Sequence, residues 1–169
     1  MRTRRIHITG ASGAGVTTLG RAIADALAVP HHDTDDYYWL PTDPPYTQDR
    51  GISERLRLMQ AMFVPRPAWV LSGSLNSWGD PIIAMVDLVV FLRVPTEIRL
   101  ARLREREARR GHVDEEFIEW AAYYDQGTRE GRSLPGHEAW LKTLHCPVLR
   151  LEGTIPVTHL VAAVLERLS

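Results

Sequence analysis

Residues 10–18 read GASGAGVTT. The spacing is nearly that of a loop that wraps a phosphate: glycine, four residues, glycine, lysine, then serine or threonine. Gly10, Gly15 and Thr17 stand where the pattern requires them, and Val16 stands where the lysine would be. Such a loop works mainly through its backbone. The N–H groups of Ala11, Ser12, Gly13, Ala14, Gly15, Val16 and Thr17 would converge on phosphate oxygens at the start of a helix whose next residue is Thr18, and the Thr17 hydroxyl would face Mg²⁺. The plain alternative is a tight strand-to-helix turn with no ligand. A dinucleotide-binding turn fits poorly, because the spacing is not GxGxxG and no acidic residue ends the second strand in the required way.

The second group is HHDTDDYYW, residues 31–39. It should leave the carboxyl end of the second strand, where doubly wound sheets build their sites. Asp33 and Asp35 alternate along the chain, so they cannot both point into the core, and one or both should face the glycine loop. Phosphoryl transfer needs one carboxylate on the Mg²⁺ side and one that orients or deprotonates the attacking hydroxyl. Two other readings stand beside this one. His31, His32 and the aspartates could hold a transition metal, although adjacent histidines lack helical ligand spacing. The run could also be a solvated acidic turn.

These groups need a frame to position them. RIHIT (5–9), WVLS (69–72), LVVFL (88–92) and VLRL (148–151) read as buried strands, with a weaker one at PHHD (30–33). Helical patterns lie between them at 17–28, 96–110, 114–124, 137–144 and 157–168, with Thr96 as an N-cap and Gly111 closing the helix it starts. Strand and helix in this alternation predict a doubly wound, parallel, five-stranded α/β sheet with helices on both faces. Residues 40–51 are rich in proline and polar side chains and read as a surface loop. Residues 111–136 begin with glycine, are crowded with charge and aromatic rings, and read as a mobile flap rather than a separate domain. The expected organisation is one domain over 1–169, with an acceptor-binding region near 34–68 and a lid near 111–136.

Composition narrows the partners. The 169 residues carry a formal net charge of −1, with 44% hydrophobic and 24% charged residues. That balance provides no field for a nucleic-acid polymer or an anionic membrane. Of the 20 lysines and arginines, 19 are arginine and Lys142 is the one lysine. Arginine forks suit phosphate, but a GC-rich genome would write the same bias. Cys146 is the one cysteine, so no intrachain disulfide forms and a reducing, cytoplasmic location is expected. A small buried hydrophobe is its natural reading. The longest apolar run, LVVFL, is too short to span a membrane.

Three stretches resemble known families. The run GAGVTTLGRAIADALAVPHHDTD is similar to the opening of shikimate kinase: glycine loop, T-L-G-R helix and Asp-x-Asp pair. The resemblance would make Asp33 the Mg²⁺-side carboxylate and Asp35 the residue that meets the acceptor hydroxyl. VPTEIRLARLRER (94–106) resembles the adenylate kinase segment V-P-x-E with two spaced arginines, which would put Arg102 on adenine and Arg106 on phosphates. EGTIPV (152–157), with Gly153 and Ile155, resembles the adenylate kinase loop D-G-T-x-P-V, whose backbone reads adenine. The acceptor half departs from adenylate kinase: SGSLNSWGD (72–80) carries no arginine where an AMP-binding turn would. The resemblance thus implies the P-loop nucleoside or nucleotide kinase fold with a short lid. It implies ATP and Mg²⁺ as cofactors, and a small hydroxyl-bearing acceptor such as a nucleoside, nucleotide or metabolite. Asp35, Ser72, Gly73, Ser74, Asn76 and Arg50 would surround that acceptor, and Tyr37, Tyr38, Trp39 and Trp78 could stack on a base or simply pack. A monomer or weak homodimer is expected.

The missing lysine must be replaced. Lys142 precedes the strand at 148–151 and so lies at the end of the sheet away from the phosphates. Arginines of the lid are better placed, and the expectation is that Arg106, helped by Arg129 or Arg132, neutralises the transferred phosphoryl group. A solvated charged helix would show the same row of Arg99, Arg102, Arg106 and Arg110. A non-catalytic nucleotide-binding protein is the rival from another class.

Overall fold

A computed structural model describes residues 4–169; residues 1–3, part of the expected domain span, lie outside the described residues. The strands are β1 (Arg4–Gly10), β2 (His31–Asp33), β3 (Ala68–Ser72), β4 (Leu88–Arg93) and β5 (Val148–Glu152). They form one sheet in the order β2-β3-β1-β4-β5, parallel throughout. The helices are α1 (Val16–Leu27), α2 (Asp35–Tyr38), α3 (Ile52–Met62), α4 (Asp80–Ile83), α5 (Thr96–Arg109), α6 (Glu115–Ala122), α7 (Leu134–Leu141) and α8 (Val157–Leu168). The expected doubly wound sheet is the fold.

The strands alternate, and the alternation divides the core in two. Ile6, Ile8, Val70, Leu88, Val90 and Leu92 pack against Leu19 and Ile23 of α1 and Leu160 and Val164 of α8. On the opposite face, Trp69, Leu71, Val89 and Phe91 pack against Met59 of α3, Ile82 of α4 and Leu141 of α7. Strand order reverses beside β1, so the crevice at its carboxyl end is where such a sheet takes a ligand.

Several local expectations are corrected. Thr96 does not cap α5. Pro95 occupies the cap position, while the Thr96 hydroxyl donates to Asp125 Oδ2 at 2.9 Å and accepts from Arg99 Nη2 at 2.9 Å. The seventh helix starts at Leu134 rather than 137, because the Ser133 hydroxyl accepts the Gly136 N–H and Pro135 suits a first turn. Helix α3 was unforeseen, since its buried side includes Arg55 and its apolar stripe is broken. Residues 39–50 are tied back on themselves: Trp39 bridges Asp49, and the Leu40 N–H donates to the Gln48 carbonyl at 2.9 Å. The flap at 111–136 is anchored as well, for Ile118 and Ala121 of α6 bury themselves against Leu103 of α5.

Candidate active site

The glycine loop leaves β1 and bends through two left-handed residues, Gly13 at φ +81° and Gly15 at φ +91°, before α1 begins at Val16. Only glycine takes such angles without strain. Arg99 pins the loop from below. It is buried and donates to the carbonyls of Ser12, Ala121 and Val94, with Asp125 at 3.6 Å, so the loop, α5 and the flap are joined at one side chain. The burial of Arg99 removes it from the alternative of a solvated charged row. Ala11 and Ala14 are buried, Thr18 is exposed on α1, and Val16 packs against the core edge instead of reaching toward a phosphate.

Across the mouth of the loop, the Thr17 hydroxyl donates to Asp33 Oδ2 at 2.6 Å. The other oxygen of Asp33 accepts the Asp35 N–H at 3.0 Å, which fixes the start of α2. Asp33 and Asp35 therefore both sit at the loop. Thr17 and Asp33 are hard oxygen donors of the kind that hold Mg²⁺ through part of its water shell. The two histidines beside them turn apart. His31 Nε2 meets Ser72 Oγ at 2.9 Å, while His32 stacks on Phe63 at 4.1 Å between centroids. Among the described residues, no three His, Cys, Asp or Glu side chains form a group able to hold a metal.

Asp35 is open to solvent on one side, yet the protein around it raises its carboxyl pKa; the Asp33 charge raises it further and Arg132 draws it back. Arg132 comes from the flap, and its Nη2 donates to Ser12 Oγ at 3.1 Å. Burial lowers its own pKa, with Asp35 opposing. Two distant parts of the chain thus meet at the loop: the Asp33–Asp35 segment and Arg132 of the flap. Arg106 and Arg129 point elsewhere. Arg106 pairs with Glu107 at 3.3 Å and lies 6.0 Å from the Phe117 ring, whereas Arg129 pairs with Glu119 at 2.7 Å over Tyr123. Lys142 ends α7, ahead of the amino end of β5.

The outer side of the loop is closed by Arg102. Its Nη1 lies 3.5 and 3.4 Å from the Gly13 and Ala14 carbonyls, and its Nη2 donates to the Gly153 carbonyl at 3.2 Å. The guanidinium therefore bridges the glycine loop and the 153–156 turn, where Ile155 is exposed.

A cleft of about 330 Å³ opens beside Asp35, lined by Asp36, Trp39, Tyr46 and Arg50 among others. Several other members of the expected acceptor shell make contacts within the protein. Ser72 is fully buried and donates to the Val16 carbonyl, and the Ser74 N–H donates to Thr34 Oγ1. Tyr37 and Trp78 are buried, with the Tyr37 hydroxyl 3.0 Å from His32 Nδ1. Tyr38 supports the Arg55 guanidinium at 3.6 Å. Tyr46 and Asp36, both in the cleft, went unnoticed in the sequence, because no local pattern tells a lining aromatic from a loop aromatic.

No known family profile matches the chain. Among solved structures, the fold is shared with a gluconokinase from Sinorhizobium meliloti 1021 (TM-score 0.62, 20% identity, covering 99% of this chain and 95% of that one). It is also shared with the shikimate kinase of Bacteroides thetaiotaomicron (TM-score 0.62, 21% identity, 98% of each chain). A shikimate kinase from Acinetobacter baumannii, solved in complex with shikimate, superposes at a TM-score of 0.61 with 19% identity over 98% of this chain and 93% of that one. The fold is thus that of the P-loop small-molecule kinases. With 43% identity over 177 aligned positions and 98% of both chains covered, the chain belongs to the family of the uncharacterized protein YqaC of Bacillus subtilis (strain 168).

Proposed function

We propose that the protein is an ATP-dependent phosphotransferase that moves the γ-phosphoryl group to the hydroxyl of a small acceptor. The observation that carries this reading is the meeting of Asp35 and Arg132 at the mouth of the glycine loop, beside the Thr17–Asp33 pair. The roles follow from chemistry. Backbone N–H groups of residues 11–17 hold the β-phosphate region, and Thr17 and Asp33 hold Mg²⁺, which would supply charge neutralisation between phosphates. Asp35 accepts the hydroxyl proton or orients the hydroxyl. Arg132, with Arg106 drawing in from α5 on closure, takes over the charge that a lysine at 16 would bring. Arg102 and the turn at Gly153 and Ile155 form the adenine side. The resemblance to adenylate kinase is confined to this donor half, and the fold neighbours whose printed names are gluconokinase and shikimate kinase favour a non-nucleotide acceptor.

A second reading rests on Val16. Its side chain belongs to the core edge, so nothing at position 16 reaches a phosphate, and a nucleotide-binding protein without turnover would tolerate that. Acceptor-dependent release of ADP from MgATP separates the two. The phosphotransferase releases ADP and loses this on Thr17→Ala, whereas the binding protein is stabilised by MgATP and releases none.

A further inference from the structure

The cleft beside Asp35 carries its own statement about charge. Its charged linings are Asp35, Asp36 and Arg50. Each nitrogen of Arg50 is already engaged with protein: Nε with the Tyr37 carbonyl at 3.1 Å, Nη2 with the Trp39 carbonyl at 3.4 Å, and Nη1 with Glu54 at 3.0 Å. Glu54 neutralises it, and the Arg50 side chain is only 14% exposed. The neighbouring Arg55 is more deeply committed, buried over Tyr38 and paired with Asp49 at 2.7 Å. Arg132 faces Asp35 and holds Ser12, where the transferred phosphoryl group would sit. Arg110, over the Tyr46 ring at 5.8 Å, is paired with Glu107 at 3.4 Å. Among the described residues the arginines at the cleft thus each face a carboxylate, and Asp35 and Asp36 leave its charge balance unfavourable to an acid group on the acceptor. Apart from Thr42, the rest of the wall is apolar and aromatic, with Trp39 and Tyr46 edge to face at 6.0 Å, beside Leu40, Pro41 and Pro45. Flat apolar walls with carboxylates at one end suit a ring that shows C–H faces to the aromatics and vicinal hydroxyls to the carboxylates.

We infer that the acceptor is an uncharged polyhydroxylated molecule, a sugar or cyclitol ring, and that carboxylate- or phosphate-bearing analogues are excluded. This rests on the phosphotransferase reading of the same site. In the step, the acceptor hydroxyl oxygen forms a bond to the γ-phosphorus as the bond to the β–γ bridging oxygen breaks. ADP leaves with that electron pair, and the hydroxyl proton passes to Asp35.

The test uses matched sets differing only in charge: glucose, gluconate and glucose 6-phosphate; ribose, ribonate and ribose 5-phosphate; inositol and inositol 1-phosphate. ADP release from MgATP is measured with each, alongside melting temperature. The expected result is a neutral member preferred over its anionic partners by about tenfold or more in kcat/KM. Asp36→Asn should narrow that preference, and Trp39→Ala should raise KM for the neutral acceptor more than it lowers kcat. An anionic member used as well as its neutral partner overturns the inference, as does an unchanged preference in Asp36→Asn. Failure of every neutral member while MgATP still raises the melting temperature also overturns it and leaves the nucleotide site standing. If MgATP itself neither binds nor turns over, the phosphotransferase reading fails first and the inference falls with it.

Discussion

Asp35 and Arg132 each favour the charged form of the other. In the proposed role of base, Asp35 would act only when ionised, so activity should be present at higher pH and lost as pH falls through its pKa. That pKa is raised by burial and by Asp33, so the acid limb of the rate profile should lie above the usual carboxylate range. Asp35→Asn should cut transfer by about 10²-fold or more with MgATP binding retained. Transfer within a few-fold of wild type would leave only the acidic-turn reading. Arg132→Ala should cost about 10³-fold, the scale for a charge-neutralising arginine, and should also move the acid limb to higher pH, because the opposing positive charge is gone. Arg106→Ala should cost less, given that its side chain rests on Glu107 and Phe117, and Lys142→Ala should change little. A larger loss for Arg106 than for Arg132 would mean that the closed lid differs from the arrangement described.

Helix α1 is the element that joins loop, metal pair and sheet. Gly20 lies one turn beyond Val16, and a Cβ there would sit 2.0 Å from Ser72 Oγ and 2.8 Å from His31 Nε2. Gly20→Ala must push α1 away from β2 and β3, which carries Thr17 off Asp33. Overpacking of this kind costs about 1–3 kcal/mol. The expected outcome is a lowered melting temperature together with weaker MgATP stabilisation; a loss of stability with Mg²⁺ dependence unchanged would separate α1 from the metal pair. Gly15 differs. A Cβ there meets nothing closer than Arg102 Nη1 at 3.8 Å, so a larger residue is opposed by the φ of +91° rather than by crowding.

At the scale of the whole molecule, two buried histidines set an acid limit on stability. His7 donates through Nδ1 to the Leu71 carbonyl, and His137 Nδ1 meets the Tyr124 hydroxyl at 2.7 Å; the Nε2 of each is buried without a partner. Burial lowers both from 6.5 to about 4. The unfolded chain therefore binds their protons first as pH falls. Stability contributed by keeping them neutral is complete above about 6.5 and is lost down to about 4. The slope should approach about 1.4 kcal/mol per pH unit for each histidine within that window. Denaturant titrations at several pH values check it. His7→Asn should reduce the slope by about 1.4 kcal/mol per pH unit within that window, with His31 and His32, also lowered by burial, adding to what remains. A flat profile from 6.5 to 4 would contradict the burial. Because His137 and Tyr124 bracket the segment that delivers Arg132, this acid loss should begin at the lid.

Strand positions, the parallel sheet and the glycine loop could be read directly from the chain, because alternation, apolar runs and glycine spacing are local signals. The pairing of Thr17 with Asp33 was foreseeable in kind, since both leave carboxyl ends of strands in one parallel sheet, although β3 lies between those strands. Tertiary structure alone decided which arginine of the flap reaches the loop beside Asp35. Arg102, Arg106, Arg129 and Arg132 are alike in sequence, but Trp120 holds the Glu130 carbonyl at 2.8 Å and turns the chain so that Arg132 meets Ser12. The same holds for Arg99, Arg50 and Arg55, whose charges are spent on carbonyls and carboxylates that only folding brings near. Local pattern fixes where the backbone turns and which face is apolar. Which charges remain free to meet a substrate depends on contacts between distant segments, and those exist only in the folded chain.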